Sequence, residues 1–212
     1  MAIDAVLQLA TVLAVIVYFW SDLRELWRPE HRATLYALVV GTIPAVVVGI
    51  FLEDTMATLF RSPHLVAYAL IAGSCVMLAA EYIPKVLVDP KWWFKGLVIG
   101  LFQALALIPG MSRSGMTISG GMFVGLTRSE AARFGFLLAV PILAGSGIKK
   151  LLDLGTDGAL SALGMPLVIG SVVAFLSGLA AIYLVLAIVR RTPLTVFVIY
   201  RVLLAVLILV LL

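Results

Sequence analysis

A short segment in the middle of the chain combines one arginine with several hydroxyl side chains and glycines. Arg113 offers a planar fork of donors that suits the oxygens of a phosphate group. A helix that begins near Ser112 would direct its free N–H groups and the positive end of its dipole toward the same point. Ser114 and Thr117 add hydroxyls, and Gly110 lets the backbone approach closely. The sequence therefore predicts that these five residues form a phosphate-binding site.

Other polar residues are weaker candidates for a role in chemistry. Gln103 precedes the segment by about two helical turns, so it is a modest candidate for contact with substrate. His31 and His64 are expected in solvated loops, away from a site. Glu81 and Arg201 are predicted near the ends of helices, where their side chains could reach the interface. A carboxylate is the expected partner of Arg201, although the sequence does not identify it.

The composition places all of these residues in a membrane protein. Of the 212 residues, 63% are apolar and only 12% are charged, whereas soluble domains have about 25% charged residues. A chain this poor in charge cannot cover a globule with polar surface, so soluble, disordered and disulfide-scaffold classes are excluded. The net charge of +4 comes from basic residues scattered over loops. That pattern indicates membrane topology and gives no support to nucleic-acid binding.

In a membrane protein, the charged side chain of Arg113 is the strongest indication of a functional site. A charged side chain near the centre of a bilayer costs on the order of 3 kcal/mol or more, so such residues usually have a function. The alternative is that a buried carboxylate or backbone carbonyls neutralise Arg113, and that the neighbouring small residues serve only for packing. The functional interpretation is favoured because burial, small residues and a helix start coincide here.

Charge-free runs of sequence predict six membrane-spanning helices. They cover residues 5–20, 33–52, 65–80, 134–147, 166–188 and 194–212. Residues 97–126 do not form a seventh span, because Pro109 and Gly110 interrupt them and polar residues follow. We predict two half-helices joined at Pro109 and Gly110, a re-entrant hairpin that enters and leaves by one face. The predicted fold class is an all-α integral membrane protein with six transmembrane helices and one re-entrant hairpin.

Basic residues in the loops favour the re-entrant arrangement. If the hairpin returns to its own face, one side of the membrane has ten of them: Arg24, Arg28, Arg32, Lys85, Lys91, Lys95, Arg128, Arg133, Arg190 and Arg191. The other side has three: Arg61, Lys149 and Lys150. A spanning segment would reduce this bias to eight against five. The richer side is therefore predicted to be cytoplasmic. Glycine pairs at positions 96 and 100, and at 121 and 125, are spaced for close packing of the two half-helices against neighbours.

The order of elements predicts an inverted repeat within a single membrane domain, 1–212. Residues 1–84 would form an incomplete first repeat, and residues 96–212 a second repeat that includes the hairpin. Three spans in a repeat invert the second copy, and such proteins place their functional site near the midplane, where broken helices meet. By this symmetry a further hairpin is expected ahead of Asp4.

The chain resembles the undecaprenyl-diphosphatase family of bacterial bacitracin-resistance phosphatases. The motif Pro-Gly-x-Ser-Arg-Ser-x-x-Thr, met by residues 109–117, is highly specific to that family. Other matching segments are 14–20, 43–45 within the second predicted span, 80–81, 103–121, 136–141 and 199–201. The resemblance implies hydrolysis of undecaprenyl diphosphate, a polyprenyl diphosphate lipid, to its monophosphate in the bacterial inner membrane. That reaction recycles the lipid carrier for cell-wall synthesis and confers bacitracin resistance.

The resemblance also implies roles for individual residues. Arg113 and Ser112 would be catalytic, with Arg113 holding the diphosphate and stabilising charge on the transferring phosphoryl group. Gly110, Ser114, Thr117 and Gln103 would bind substrate. A divalent cation, Mg²⁺ or Ca²⁺, is implied as well.

In one respect the chain departs from the family pattern. Family members carry an earlier hairpin with two glutamates and a Pro-x-Ser-Ser-Thr-Gly-His stretch, which supply the proposed metal ligands, nucleophile and histidine. This sequence has no matching stretch, so the cation's expected ligands are not in it, and we expect weak or absent phosphatase activity. A transporter or flippase, or a non-catalytic binder of prenyl phosphates, is the alternative function. The oligomeric state is left open, with a homodimer among the alternatives.

Overall fold

The computed structural model describes residues 2–59, 62–83, 90–154 and 164–211, and all regular elements in these ranges are helical. In chain order they are α1 (Ala2–Tyr18), α2 (Trp20–Glu25), a 3₁₀ turn (Pro29–His31), α3 (Arg32–Leu59), α4 (Pro63–Tyr82), α5 (Trp92–Leu105), α6 (Arg113–Phe123), α7 (Arg128–Leu154), α8 (Gly164–Arg191) and α9 (Thr195–Leu211). The side chains of Arg61, Lys85 and Lys150, which the charge count includes, lie outside the described part of the chain.

The helices confirm the predicted all-α membrane fold. Within the described ranges, four segments are long and apolar enough to cross a bilayer: Pro29–Phe51, Pro63–Tyr82, Arg128–Lys149 and Gly164–Arg191. Helices α1 and α9 have 17 residues each, which is at the short end of the roughly 17–25 residues that a span needs. Helices α5 and α6, with 14 and 11 residues, are too short to span, as half-helices must be.

Contacts at one end of the bundle show that the hairpin is re-entrant. Arg128, at the start of α7, forms an ion pair with Glu81 near the end of α4, with 2.9 Å between Nη2 and Oε1. Arg128 also donates to the carbonyl of Thr192, between α8 and α9 (3.3 Å). The backbone N–H of Leu194 donates to Glu81 (3.2 Å). Because α4 ends where α7 begins, the chain between them does not change sides of the bundle.

Helix α5 packs against α3 at the distance of backbone contact. A Cβ atom on Gly96 would overlap the carbonyl oxygen of Ala37, and one on Gly100 would overlap that of Gly41. No side chain fits at either glycine, so the predicted close packing of this pair is confirmed.

For the second glycine pair, the prediction of close packing is correct for Gly121 and wrong for Gly125. A Cβ atom on Gly121 would lie 2.5 Å from the Cβ of Ala131 in α7, so this glycine does permit close packing. Gly125 lies beyond the end of α6, where its φ of +90° forms a turn. Pro44 lies inside the continuous helix α3, as the span predicted for residues 33–52 requires.

The remaining packing brings the two halves of the chain together. Helix α1 packs against α7 and α8, and α4 packs against α9, while α6 lies among α4, α5 and α7. The contact of α1 with α7 joins the first spans of the two proposed repeats, and the contact of α4 with α9 joins their third spans. The repeat boundaries themselves stay a prediction. For the site, the consequence is that α6 begins inside the bundle, enclosed by three helices.

Candidate functional site

The hairpin tip, residues 106–112, is a compact series of turns between α5 and α6. Backbone N–H groups of Leu107, Ile108 and Met111 each donate to the carbonyl three residues earlier, at 3.1 Å. Gly110 has a φ of +100°, and a Cβ atom there would lie 2.6 Å from the carbonyl oxygen of Val66 in α4. The tip therefore needs glycine for two reasons, its backbone conformation and its contact with α4.

Ser112 caps α6, which begins at Arg113 as the sequence predicted. Its Oγ accepts a hydrogen bond from the N–H of Gly115 (3.2 Å), the usual arrangement at a helix N-terminus. Among the residues that the structure describes, Ser112 is the one non-glycine with a positive φ, +71°. Such a backbone conformation costs on the order of 1–3 kcal/mol and is concentrated at functional sites.

Arg113 lies beside a cavity of about 520 Å³. Its side chain is half-buried, and within the described ranges its guanidinium forms no hydrogen bond or ion pair. The cavity also borders Lys149, Ser146 and Gln8. Two basic side chains at one cavity favour an anionic ligand. The alternative interpretation, in which a carboxylate or carbonyls neutralise Arg113, has no support among the described residues.

Ser112 and Ser114 border a different cavity, of about 240 Å³, on the other side of the tip. Its walls are mainly apolar and come from α4, α6, α8, α9 and the residue before α9: Met77, Gly115, Ile118, Val185, Val189, Leu194, Phe197, Tyr200 and Arg201. The structure therefore places the hydroxyls and the guanidinium of the motif next to each other in the chain but in separate cavities. The sequence had suggested a single point of convergence.

Thr117 lies away from the lining of both cavities. It is 2% exposed, and its hydroxyl donates back into α6, to the carbonyl of Arg113 (3.0 Å) or Ser114 (3.3 Å). A Cβ atom on Gly135 of α7 would lie 2.7 Å from its Oγ1. Thr117 thus supports the backbone of Arg113 and the packing of α6 on α7.

Gln103 is buried in α5, 2% exposed, on the helical face that also contains Gly96 and Gly100. In the described part of the chain, neither polar atom of its amide has a hydrogen-bond partner, and the hydroxyl of Ser119 has none either. Buried polar atoms without partners are uncommon in proteins. Gln103 does not border the cavities beside the tip, so its predicted contact with substrate would need a change in the structure around it.

Arg201 contacts the hairpin tip, which its place in the sequence did not indicate. It lies within α9 and not near its end, and it is 8% exposed, so it does not extend to the interface. Its expected carboxylate partner is also wrong. The guanidinium donates to the Ser74 hydroxyl and to backbone carbonyls, two of which, those of Gly110 and Met111, belong to the hairpin tip. The available signal was an arginine seven residues into an apolar helix.

The remaining candidates lie apart from the tip. His31, in the 3₁₀ turn, and His64, in the first turn of α4, are both exposed, and Glu81 is paired with Arg128. Among the described side chains, no three histidines, cysteines, aspartates or glutamates lie close enough together to hold a metal ion. The described residues therefore do not form a site for the divalent cation that the resemblance implies.

The fold and the tip define a helical membrane protein whose re-entrant hairpin presents a cation to a partly open cavity. Residues 1–207 match the family described as bacitracin resistance protein BacA. The undecaprenyl-diphosphatase of Mycobacterium sp. (strain KMS) is 42% identical over 98% of this chain and 81% of that protein. The undecaprenyl-diphosphatase of Myxococcus xanthus (strain DK1622) is 41% identical over 100% of this chain and 76% of that protein. The chain belongs to the bacitracin resistance protein BacA family.

Proposed function

We propose that this protein hydrolyses undecaprenyl diphosphate to undecaprenyl phosphate and inorganic phosphate in the bacterial plasma membrane. The observation that carries the proposal is the guanidinium of Arg113, which is half-buried beside a cavity and has no partner among the described residues. The relatives named undecaprenyl-diphosphatase give the substrate class. Through this reaction the protein would recycle the lipid carrier for cell-wall synthesis and confer bacitracin resistance.

Arg113 would bind the terminal phosphate of the substrate. In the hydrolysis, the bond between the terminal phosphorus and the bridging oxygen breaks, and oxygen from water ends on the released phosphate. The bridging oxygen stays with undecaprenyl phosphate. The planar fork of Arg113 can hold two oxygens of the transferring group and stabilise the charge that develops on them. The nearby side chain of Lys149 adds positive potential to the same cavity.

The hydroxyls of Ser112 and Ser114 would contact the substrate from the other side of the tip. Because Ser112 Oγ already accepts from the N–H of Gly115, its own proton can be donated to a phosphate oxygen. The cavity that these serines border has apolar walls, including Val185, Val189 and Phe197. Such walls suit the start of a prenyl chain, while Arg201 at the same cavity suits the phosphate next to it.

The other motif residues would act in different ways. Gly110 allows the tip to pack on α4, and Thr117 holds the carbonyl of Arg113. The Gln103 amide has no hydrogen-bond partner among the described residues, and a substrate could use it if α5 shifted. The divalent cation is implied by the resemblance alone, because the described residues form no site for it. A homodimer stays a prediction.

Phosphate release tests the proposal directly. The purified protein, reconstituted in detergent or liposomes, is supplied with undecaprenyl diphosphate and the released phosphate is measured. We expect release from the wild type and a loss of about 100-fold or more in kcat/KM for Arg113→Ala, since one donor to a developing charge is commonly worth that much. Arg191→Ala is the matched control, because it removes an exposed arginine remote from the tip.

Two outcomes would contradict the proposal. Movement of the lipid between leaflets without phosphate release would favour a flippase, and tight binding with neither activity would favour a non-catalytic binder. The departure from the family pattern predicts weak or absent activity, so ready release of phosphate by the wild type would show that prediction to be wrong.

A further inference from the structure

We propose that Arg201 is a positioning residue that fixes the hairpin tip, and with it Ser112 and Arg113, against α4. The kinetic consequence of this proposal rests on the proposed phosphatase function, whereas its structural consequence does not. Arg201 does not border the Arg113 cavity, although it borders the smaller cavity beside Ser112 and Ser114. Its effect on Arg113 would therefore pass through the backbone of the tip.

The hydrogen bonds of Arg201 connect three separate parts of the chain. Its Nη2 donates to the carbonyl oxygens of Gly110 (2.8 Å) and Met111 (3.2 Å) in the tip. The same nitrogen lies 3.1 Å from the carbonyl oxygen of Leu70 in α4, and Nε donates to Ser74 Oγ at 3.2 Å. One side chain of α9 therefore holds the tip to α4 at a point one or two residues before Ser112.

The chemistry of the partners explains why this contact is strong. The carbonyls of Gly110 and Met111 lie between helices, so no N–H group of a regular helix donates a hydrogen bond to them. A buried guanidinium is equally costly unless its donors are satisfied. Each group supplies what the other lacks. No carboxylate takes part among the described residues, so the positive charge of Arg201 remains next to the tip, where an anionic substrate would bind.

Helix α4 is shaped to accept this arrangement. A Cβ atom on Gly73 would lie 2.6 Å from Nη2 of Arg201 and 2.7 Å from the carbonyl oxygen of Met111. A methyl group at this position would therefore force apart the two groups that are hydrogen-bonded. Gly73→Ala disturbs the contact without removing any charge, which makes it a second, independent way to test the role of Arg201.

The first measurement is hydrogen exchange of the whole protein in detergent, followed by mass spectrometry. In Arg201→Met, we expect the backbone amides of residues 107–112 to exchange about tenfold faster or more. Local opening of the tip then costs less free energy, because there are no hydrogen bonds to Arg201 to break. Exchange in α1 and α8 should change little. Arg191→Met is the control for loss of a cation, and Gly170→Ala in α8, where a Cβ would meet only the end of the Leu7 side chain, is the control for Gly73→Ala.

The second measurement is phosphate release from undecaprenyl diphosphate. A misplacement of about 1 Å at a reacting group can cost about 100-fold in rate, so we expect kcat to fall by that order in Arg201→Met while KM changes little. Arg201→Lys should recover part of kcat, because an ammonium group can still donate to the tip carbonyls but cannot also reach Ser74. Gly73→Ala should lower kcat with all charges intact.

The outcomes separate this proposal from the proposed function. Faster exchange confined to the tip supports the positioning role even if the wild type releases no phosphate. If exchange at 107–112 matches that of the wild type in both Arg201→Met and Gly73→Ala, the proposal is overturned, whatever the activity. If Arg201→Met does not fold, Gly73→Ala and Arg201→Lys decide the question. A uniform rise in exchange over all helices, with no larger rise at the tip, would also overturn it, since that result indicates a loss of stability that is not centred on the tip.

Discussion

Two arginines of this protein lie at the depth of the bundle and differ in what surrounds them. Arg201 is almost fully buried and donates to four acceptors, three of them backbone carbonyls. Arg113 is half-buried, borders a cavity of about 520 Å³, and has no partner in the described ranges. A buried cation that is satisfied by the protein stabilises the protein, whereas one left unsatisfied is available to a ligand.

The comparison predicts that activity and stability separate at Arg113. Arg113→Ala should lower kcat/KM by about 100-fold or more while the thermal unfolding midpoint stays close to that of the wild type. The reason is that no described hydrogen bond or ion pair of the Arg113 side chain is lost. Kinetics and thermal unfolding of the same detergent preparation check this. A large fall in the midpoint would show that Arg113 has a structural partner.

Arg201 should show the opposite relation to stability. Arg201→Met leaves the tip carbonyls without a donor, whereas the Ser74 hydroxyl keeps its own hydrogen bond to the carbonyl of Leu70. Each unsatisfied buried group costs about 1–3 kcal/mol. We expect a clear fall in the unfolding midpoint together with the loss of kcat. A variant that unfolds like the wild type would remove the contrast between the two arginines.

A substitution at Gly100 tests whether the packing of α5 on α3 stabilises the hairpin as the contact of Arg201 with the tip does. Gly100→Val would place a branched side chain against the backbone of Gly41 in α3, and overpacking of this kind costs about 1–3 kcal/mol. The unfolding midpoint should fall, as it does for Arg201→Met. Gly170→Val in α8 is the matched control, because its surroundings are less crowded. Equal effects of the two substitutions would contradict the importance of the α3–α5 contact.

The smallest effect is expected at an exposed ion pair. Arg133 and Asp22 are joined by hydrogen bonds of 2.9 and 3.1 Å, and the Arg133 side chain is 54% exposed. Exposed pairs contribute about 0–1 kcal/mol, so Asp22→Asn should hardly move the unfolding midpoint or kcat. An effect as large as that of Arg201→Met would show that exposed polar contacts stabilise the protein as much as the buried contact of Arg201 with the tip does.

Several features of the fold were predictable because they depend on local properties of the chain. Runs without charge identified the spans, and Pro109 with Gly110 identified the interruption between α5 and α6. The basic residues identified the side to which the hairpin returns, which the pairing of Arg128 with Glu81 confirms. The span predicted for residues 33–52 includes Pro44, and α3 continues through this proline without a break. Neighbouring helices can tolerate a proline inside a membrane helix.

The site was predictable only in part. The helix start at Ser112 followed from residue types, and so did the prominence of Arg113. The separation of Arg113 from Ser112 and Ser114 into two cavities did not, because it depends on how α4, α7, α8 and α9 surround the tip. The sequence contains Arg201 and Gly73 without any sign that they meet. They are 128 positions apart, and only the packing of α4 on α9 brings them together.

Composition and spacing by themselves determined that this chain is a membrane protein, where its helices lie, and which segment carries a phosphate-binding pattern. These features depend on the hydropathy of short segments and on local backbone conformation, so residues close together in the chain are enough to determine them. Tertiary structure decided which buried arginine is satisfied and which is left open to a ligand. Satisfaction depends on donors and acceptors from distant parts of the chain, and only packing determines which of them meet.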